Sequence, residues 1–279
     1  MDIGYLGPKG SFTHSAACSY FSNGNFISYS SLVQLIDARM NKQIDYAMVP
    51  VENTIEGSVL PTIDGVYQTL PTIQGELVLP IAQQLMVHKD HQNQWQNATL
   101  ICSHPQALAQ SQVFIRDRIP NAEIEQMAST TLGAKKVADH PKEIYAAIGP
   151  KMAAKEYDLV IVEEDIQSVA NNETRFWLLG DEPIDTELLF AEQKATLIVD
   201  LPMDRPGALY HLLEIFAKAK INLTKIESRP QKTRLGDYFF IIDLEVPENS
   251  TVLDNALAQL DGQNFPFNLI GNYPTYRKP

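Results

Sequence analysis

Residues 99–119, TLICSHPQALAQSQVFIRDRI, hold one complete strand-to-helix unit. A short apolar run, TLIC, reads as a strand. Ser103-His104 then interrupts it, and Pro105 suits the first turn of a helix, where its missing N–H loses no bond. Four other stretches follow the same plan. DIGYLG passes through PKG into SFTHSAACSYF, with Ser11 placed to cap the helix. YAMVPV leads into ENTIEGSVLPTIDGVYQTL, with Gly57-Ser58 ahead of the helical pattern. IEQMAS precedes TTLGAKKVADH, and YAAIG precedes PKMAAKEY. Strands alternating with helices in this way predict an α/β domain with largely parallel strands.

In such a domain the loops after the strand ends gather on one edge, where ligands bind. Those loops carry Gly10-Ser11, Asn53, Gly57-Ser58, His104-Pro105-Gln106 and Ser129-Thr130. Helix starts aimed at one crevice offer unpaired N–H groups and positive dipole ends to a carboxylate or phosphate. The charge balance makes this arrangement necessary. With 34 acidic against 22 basic residues, the net charge of −12 repels nucleic acid and anionic membrane surfaces. A small anion therefore has to be held by backbone and hydroxyl donors instead of lysines. ELVLPIAQQLMVH reads as a crossover into a second lobe, which predicts a divided domain with a cleft.

The pattern changes near Glu192. KATLIVDLP reads as a strand, DRPGALYHLLEIFAKAK as loop and helix, and INLTKIESRP as a second strand. After the turn KTRLG come a third strand, DYFFIIDLEV, a helix, STVLDNALAQLDG, and a last strand, FNLIGNYP. The order βαββαβ is ferredoxin-like. The expected division is residues 1–183 for the two-lobed part, an acidic linker over 184–193, and 194–273 for the module.

Cys18 and Cys102 are the only cysteines and lack CxxC or metal spacing, so buried inert thiols are expected. No metal-ligand spacing links the six histidines, and no cofactor is expected. No basic leader with a cleavage site opens the chain, and no apolar run reaches the ~20 residues of a membrane span. A soluble cytoplasmic protein is the expectation.

NNETRFWLLG, residues 171–180, sets Thr174, Arg175 and Phe176 after a polar turn. Together with GPKGSFTHSAA, VPVENTIEGSV, SHPQALAQ, the Ser129-Thr130 turn, GALYHLLEIFA and NLTKIESRPQKTRLGDYFFIID, it makes the whole chain resemble the prephenate dehydratase family. The C-terminal part resembles an ACT domain, an amino-acid sensor. The resemblance implies a catalytic part shaped like type II periplasmic binding proteins, and conversion of prephenate to phenylpyruvate. It also implies feedback by L-phenylalanine bound between two modules, hence a homodimer or homotetramer. Gly207, Ala208, Leu209, Asn222, Leu223, Glu227, Ser228, Arg229 and Pro230 would line that effector site. No helical segment for a fused chorismate mutase precedes the first strand, so the monofunctional form is expected. Thr54, Thr131, Leu132, Trp177 and IGPKMAA depart from the usual family residues, which bears on pocket shape.

Thr174 on residue type alone reads as a turn threonine bonded to backbone. The resemblance makes it catalytic, bonded to the departing hydroxyl. Glu56, if a dry cleft holds its proton, or else His104, would supply the acid. Arg175 either forks onto a substrate carboxylate or pairs with Glu163, Glu164 or Asp165. Phe176 packs behind them. Gly10, Ser11, Asn53, Ser58, Gln106, Ser129 and Thr130 are the expected substrate-binding and capping residues. The competing activities are arogenate dehydratase and a non-catalytic small-anion-binding protein.

Overall fold

The computed structural model describes residues 1–201, 206–231 and 237–278. Asp204-Arg205 and the turn KTRLG (232–236) lie outside these residues.

The first lobe comprises β1 (Asp2–Leu6), α1 (Phe12–Tyr20), β2 (Asn25–Tyr29), α2 (Leu32–Met40), β3 (Tyr46–Asn53), a short β4 (Gly57–Ser58), α3 (Leu60–Thr69) and β5 (Ile73–Pro80). The chain then crosses to a second lobe. Its elements are β6 (Gln84–His88), a 3₁₀ segment (Lys89–Asn97), β7 (Leu100–Ser103), α4 (Pro105–Gln110), α5 (Gln112–Arg118), β8 (Glu123–Gln126), α6 (Thr130–Asp139), β9 (Tyr145–Gly149), α7 (Lys151–Glu156) and β10 (Leu159–Glu163). It returns as β11 (Glu173–Gly180), which lies in the first lobe between β5 and β3. Two lobes joined by two crossovers form the type II periplasmic-binding-like architecture.

The strands are not largely parallel as expected. β1 pairs β2 and β3 in parallel, and β7 pairs β8 and β9 in parallel. β11 runs antiparallel to β3 and β5, however, and β6 antiparallel to β9 and β10. The crossovers explain this. Strands such as β1, β3 and β7 end at the cleft, whereas β6 and β11 start there after arriving from the other lobe, so each runs against its neighbours. Thr174-Arg175-Phe176 accordingly opens a central strand and is not a loop. The reading PQALAQSQVFIRDRI as one helix is also corrected, since it breaks into α4 and α5 at buried Ser111. β2 and α2 were passed over: NFISY is a half-exposed edge strand without a clear apolar alternation.

β11 sorts its side chains by parity. Phe176 and Leu178 pack with Ala16, Ala17 and Tyr20 of α1. Trp177 and Leu179 pack with Leu35 and Ile36 of α2 and with Ile63 and Val66 of α3. Bulky Trp177 therefore faces away from the cleft side of the strand.

The C-terminal module has the expected order: β12 (Leu189–Asp200), α8 (Ala208–Ala219), β13 (Leu223–Pro230), β14 (Tyr238–Glu245), α9 (Ser250–Gly262) and β15 (Phe267–Arg277). Leu197, Val199, Phe240 and Ile242 meet Leu212, Phe216, Leu253 and Leu260 of its two helices. The opposite sheet face, with Ile198, Phe239 and Ile241, joins the core beneath α2 and α3, where Phe239 stacks on Tyr67. β12 begins inside the stretch read as linker. β15 runs on until Thr275–Arg277 pair in parallel with Glu76–Val78 of β5. The module and the first lobe thus share one ten-stranded sheet.

Candidate active site

The strand ends and helix starts converge on one cleft between the lobes, of about 1230 Å³. From the first lobe come Ser11, Asn53, Glu56, Ser58, Thr174 and Phe176, and from the second His104, Gln106, Ser129 and Thr130. No lysine or arginine is among the described residues that line it. Donors therefore have to come from the backbone and from neutral side chains, as the acidic composition requires.

Two helix starts supply them, one from each lobe. Ser11 caps α1 by accepting the His14 N–H at 3.2 Å, and Ser129 caps α6 by accepting the Leu132 N–H at 3.1 Å. The amides of Phe12 and Thr13, and of Thr130 and Thr131, have no acceptor within their own helices. Each pair sits at the positive end of a helix dipole. His104 caps α4 in the same manner: its Nδ1 accepts the Gln106 N–H at 3.3 Å, which places the proton of a neutral ring on Nε2.

Thr174 lies buried at the floor, paired in register with Asn53 of β3. The Asn53 amide is fully used. Its two Nδ2 hydrogens are shared among Thr174 Oγ1 at 2.9 Å, the Glu173 carbonyl at 3.1 Å and Asn172 Oδ1 at 2.7 Å. Its Oδ1 accepts the N–H groups of Ile55 and Glu56, closing the turn beyond β3. Thr174 Oγ1 receives a hydrogen bond here, so its own O–H remains to be donated to a ligand. Thr54 ties the same turn to the start of β11: its Oγ1 accepts the Glu173 N–H at 3.0 Å.

Five expectations are corrected. Arg175 neither lines the cleft nor pairs with Glu163, Glu164 or Asp165. It projects to the other face of β11 and meets Glu52 at 2.8 Å, Glu76 at 2.6 Å and Asp243 at 2.6 Å. Glu163 pairs with Arg118 and Glu164 with Lys151 instead. Gly10 does not line the cleft, because its N–H is taken by His14 Nδ1 at 3.0 Å. Its φ of +90° and the nearness of Ala153 and Thr131 reserve that position for a residue without a side chain. Glu56 is exposed at the rim, without the dry surroundings expected for an acid. Ser58 is not a cap, since Val59 holds that position without a side-chain bond. Of the other candidate caps, Thr130 is instead the first residue of α6.

The residues that sequence reasoning missed are on the far face of β11. Glu76 and Asp243 are fully buried, and Lys194 reaches Glu76 at 3.1 Å. Burial alone would push the Glu76 carboxyl up, but Arg175 and Lys194 outweigh it and hold its pKa below the usual value. Glu52 is held low in the same sense, burial opposed by Lys225 and Arg175. Trp177 Nε1 also donates to Glu76, and Thr196 Oγ1 to Asp243. Only the charged residues in otherwise apolar strands, GELVLP and YFFIIDLE, signalled this cluster.

On the module, Gly207 adopts φ +86° ahead of α8, and Gly207, Leu209, Asn222, Ser228 and Pro230 are exposed, while Ala208 and Leu223 are half-buried. Glu227 and Arg229 depart from the expected effector face. They turn inward, Glu227 to Ser58 and Arg229 to Asp64 of α3 at 3.0 Å.

Fold and site define a class: a two-lobed protein with a cleft of neutral donors between its lobes and a βαββαβ module fused to its sheet. The sequence profile of prephenate dehydratase matches residues 3–184, and that of the ACT domain residues 195–262. The chain belongs to the prephenate dehydratase family. It is 42% identical to the prephenate dehydratase of Bacillus subtilis, over 99% of this chain and 100% of that one. It is similar to the crystal structure of the Arthrobacter aurescens prephenate dehydratase in complex with L-Phe, with TM-score 0.84 and 31% identity over 98% of this chain and 90% of that one. The Staphylococcus aureus prephenate dehydratase superposes with TM-score 0.82 at 27% identity, over 98% of this chain and all of that one.

Proposed function

We propose that this protein converts prephenate to phenylpyruvate and is inhibited by L-phenylalanine. In the reaction the bond from the ring to its carboxylate breaks, carbon dioxide leaves, and the electron pair enters the ring. The ring C–O bond breaks in turn, and hydroxide departs as water after gaining a proton. Aromatisation drives the change, so the protein has to position two carboxylates and assist the departing oxygen. The helix starts of α1 and α6, one per lobe, match the two carboxylates. The observation that carries the reading is the Asn53–Thr174 hydrogen bond, which leaves the threonine O–H free to donate to the departing oxygen. Asn53 is the positioning residue. Phe176, 1% exposed, fixes the backbone beneath.

A threonine hydroxyl is too weak an acid to supply the proton outright, so it relays one. His104 is favoured over Glu56 as the source, because it is half-buried in the cleft whereas Glu56 is exposed at the rim, and a protonated imidazole is a far stronger acid than a hydroxyl. Ser11, Ser58, Gln106, Ser129 and Thr130 are assigned to substrate binding, with Gly10 allowing the close approach of the two lobes.

The catalytic part is taken as residues 1–183 and the regulatory module as 194–273, a division supported by the extents of the two profile matches. β13 is an edge strand, and Leu209, Tyr210, Ile226 and Tyr238 are exposed apolar residues near the effector motifs. These support association of two modules, and hence a homodimer or homotetramer in the cytoplasm.

The test is phenylpyruvate formation from prephenate by the purified protein, with and without phenylalanine, beside the same assay with arogenate. Turnover of prephenate, suppressed by phenylalanine, is expected. Turnover of arogenate alone, or binding without turnover, would overturn the reading.

A further inference from the structure

β13 is two-sided. Ile226 and Ser228 stand opposite Ile242 and Phe240, on the face that holds α8 and α9 and the exposed effector motifs. Lys225, Glu227 and Arg229 stand on the other face, toward the first lobe. Lys225 is central on that inner face. Its side chain is only 7% exposed, and its Nζ donates to Ser58 Oγ at 2.6 Å and to Glu52 Oε1 at 3.0 Å, with Glu227 Oε2 at 3.3 Å. Ser58 lines the cleft, and its hydroxyl is committed to the module: it accepts from Lys225 and donates to Glu227. Glu52 directly precedes Asn53, the residue that orients Thr174, and also receives Arg175.

We infer that Lys225 is the coupling residue through which effector occupancy of the module changes the substrate cleft. The inference rests on the reading that phenylalanine binds the module. The Ser58 hydroxyl can either be held by Lys225 and Glu227 or turn to a ligand in the cleft. Any shift of β13 on effector binding changes that choice, and with it the β4–α3 segment. Differential contact of this kind is what linkage between two sites requires. Lys225 touches neither site's ligand directly and acts through Ser58 and Glu52.

The test compares the parent protein with Lys225→Met, which keeps the length of the stem and removes the ammonium group. Calorimetry is expected to give a phenylalanine dissociation constant within about 3-fold of the parent, because a coupling residue carries the message and not the binding. The ratio of prephenate KM with and without saturating phenylalanine is expected to fall from the roughly 5–150-fold range typical of allosteric coupling to within about 2-fold of unity. An unchanged ratio, or loss of phenylalanine binding, overturns the coupling role. A parent that binds no phenylalanine overturns instead the reading beneath it. Hydrogen exchange on the unaltered protein gives a second measure independent of any variant: phenylalanine is expected to change amide protection over residues 57–62, and no change there overturns the inference.

Discussion

Thr174 and Arg175 are neighbours in the chain whose side chains serve opposite faces of β11. The threonine meets Asn53 at the cleft floor, and the arginine meets Glu76 and Asp243 in the joint between the first lobe and the module. Strand alternation alone divides the two roles. Chemistry is assigned to the first face and cohesion to the second.

For Thr174, replacement by alanine removes the hydroxyl while Asn53 keeps its other partners. kcat should fall by roughly 10²–10⁴-fold, the range for loss of assisted proton transfer, with phenylalanine binding and thermal unfolding close to the parent. Thr174→Ser should recover most of the loss. Near-normal turnover by the alanine variant would remove the residue from the mechanism.

Arg175→Met should behave as a stability defect. Truncating it takes the guanidinium from buried Asp243 and leaves Glu76 to Lys194, and breaking a buried pair costs about 3–5 kcal/mol. Urea unfolding measures this directly. A variant of parental stability with a raised prephenate KM would instead mean that the arginine grips substrate.

The same cluster sets the response to acid. Glu76 and Glu52 have folded-state pKa values below their unfolded ones. The unfolded chain therefore binds more protons as pH falls, and stability rises with pH across that window. Stability should be fully present above the unfolded glutamate value of about 4.3 and be lost progressively as pH drops through the folded values. Denaturant titrations from neutrality down to pH 3 provide the check, and a flat profile contradicts the assignment.

With His104 as the source of the proton, His104→Gln should reduce kcat by about 10²-fold or more, while Glu56→Gln should stay near the parent. The reverse pattern moves the acid to Glu56.

Much of this was legible from pattern. Strand-to-helix units, helix caps at Ser11 and Ser129, and the βαββαβ order follow local rules of capping and periodicity, and these report on neighbours in sequence. What they could not report was sheet order. The direction of β11 depends on the chain having crossed between lobes, so Thr174-Arg175-Phe176 looked like a loop after its polar prelude. The partners of Arg175 lie far away in sequence, on apolar strands where a single acid reads as an anomaly. Glu227 and Arg229 pointed to an effector pocket by motif, but their strand parity turns them toward the catalytic lobe.

The parallel pairing of β15 with β5 bears on how this protein can be engineered. A feedback-free version made by cutting the chain before β12 would strip β5 of a strand partner and take Lys194 and Asp243 away from Glu76 and Arg175. The amputated lobe would present a raw sheet margin and a stranded charge cluster. Desensitisation is better sought by point substitution, because the module assigned to regulation is also part of the catalytic lobe's scaffold.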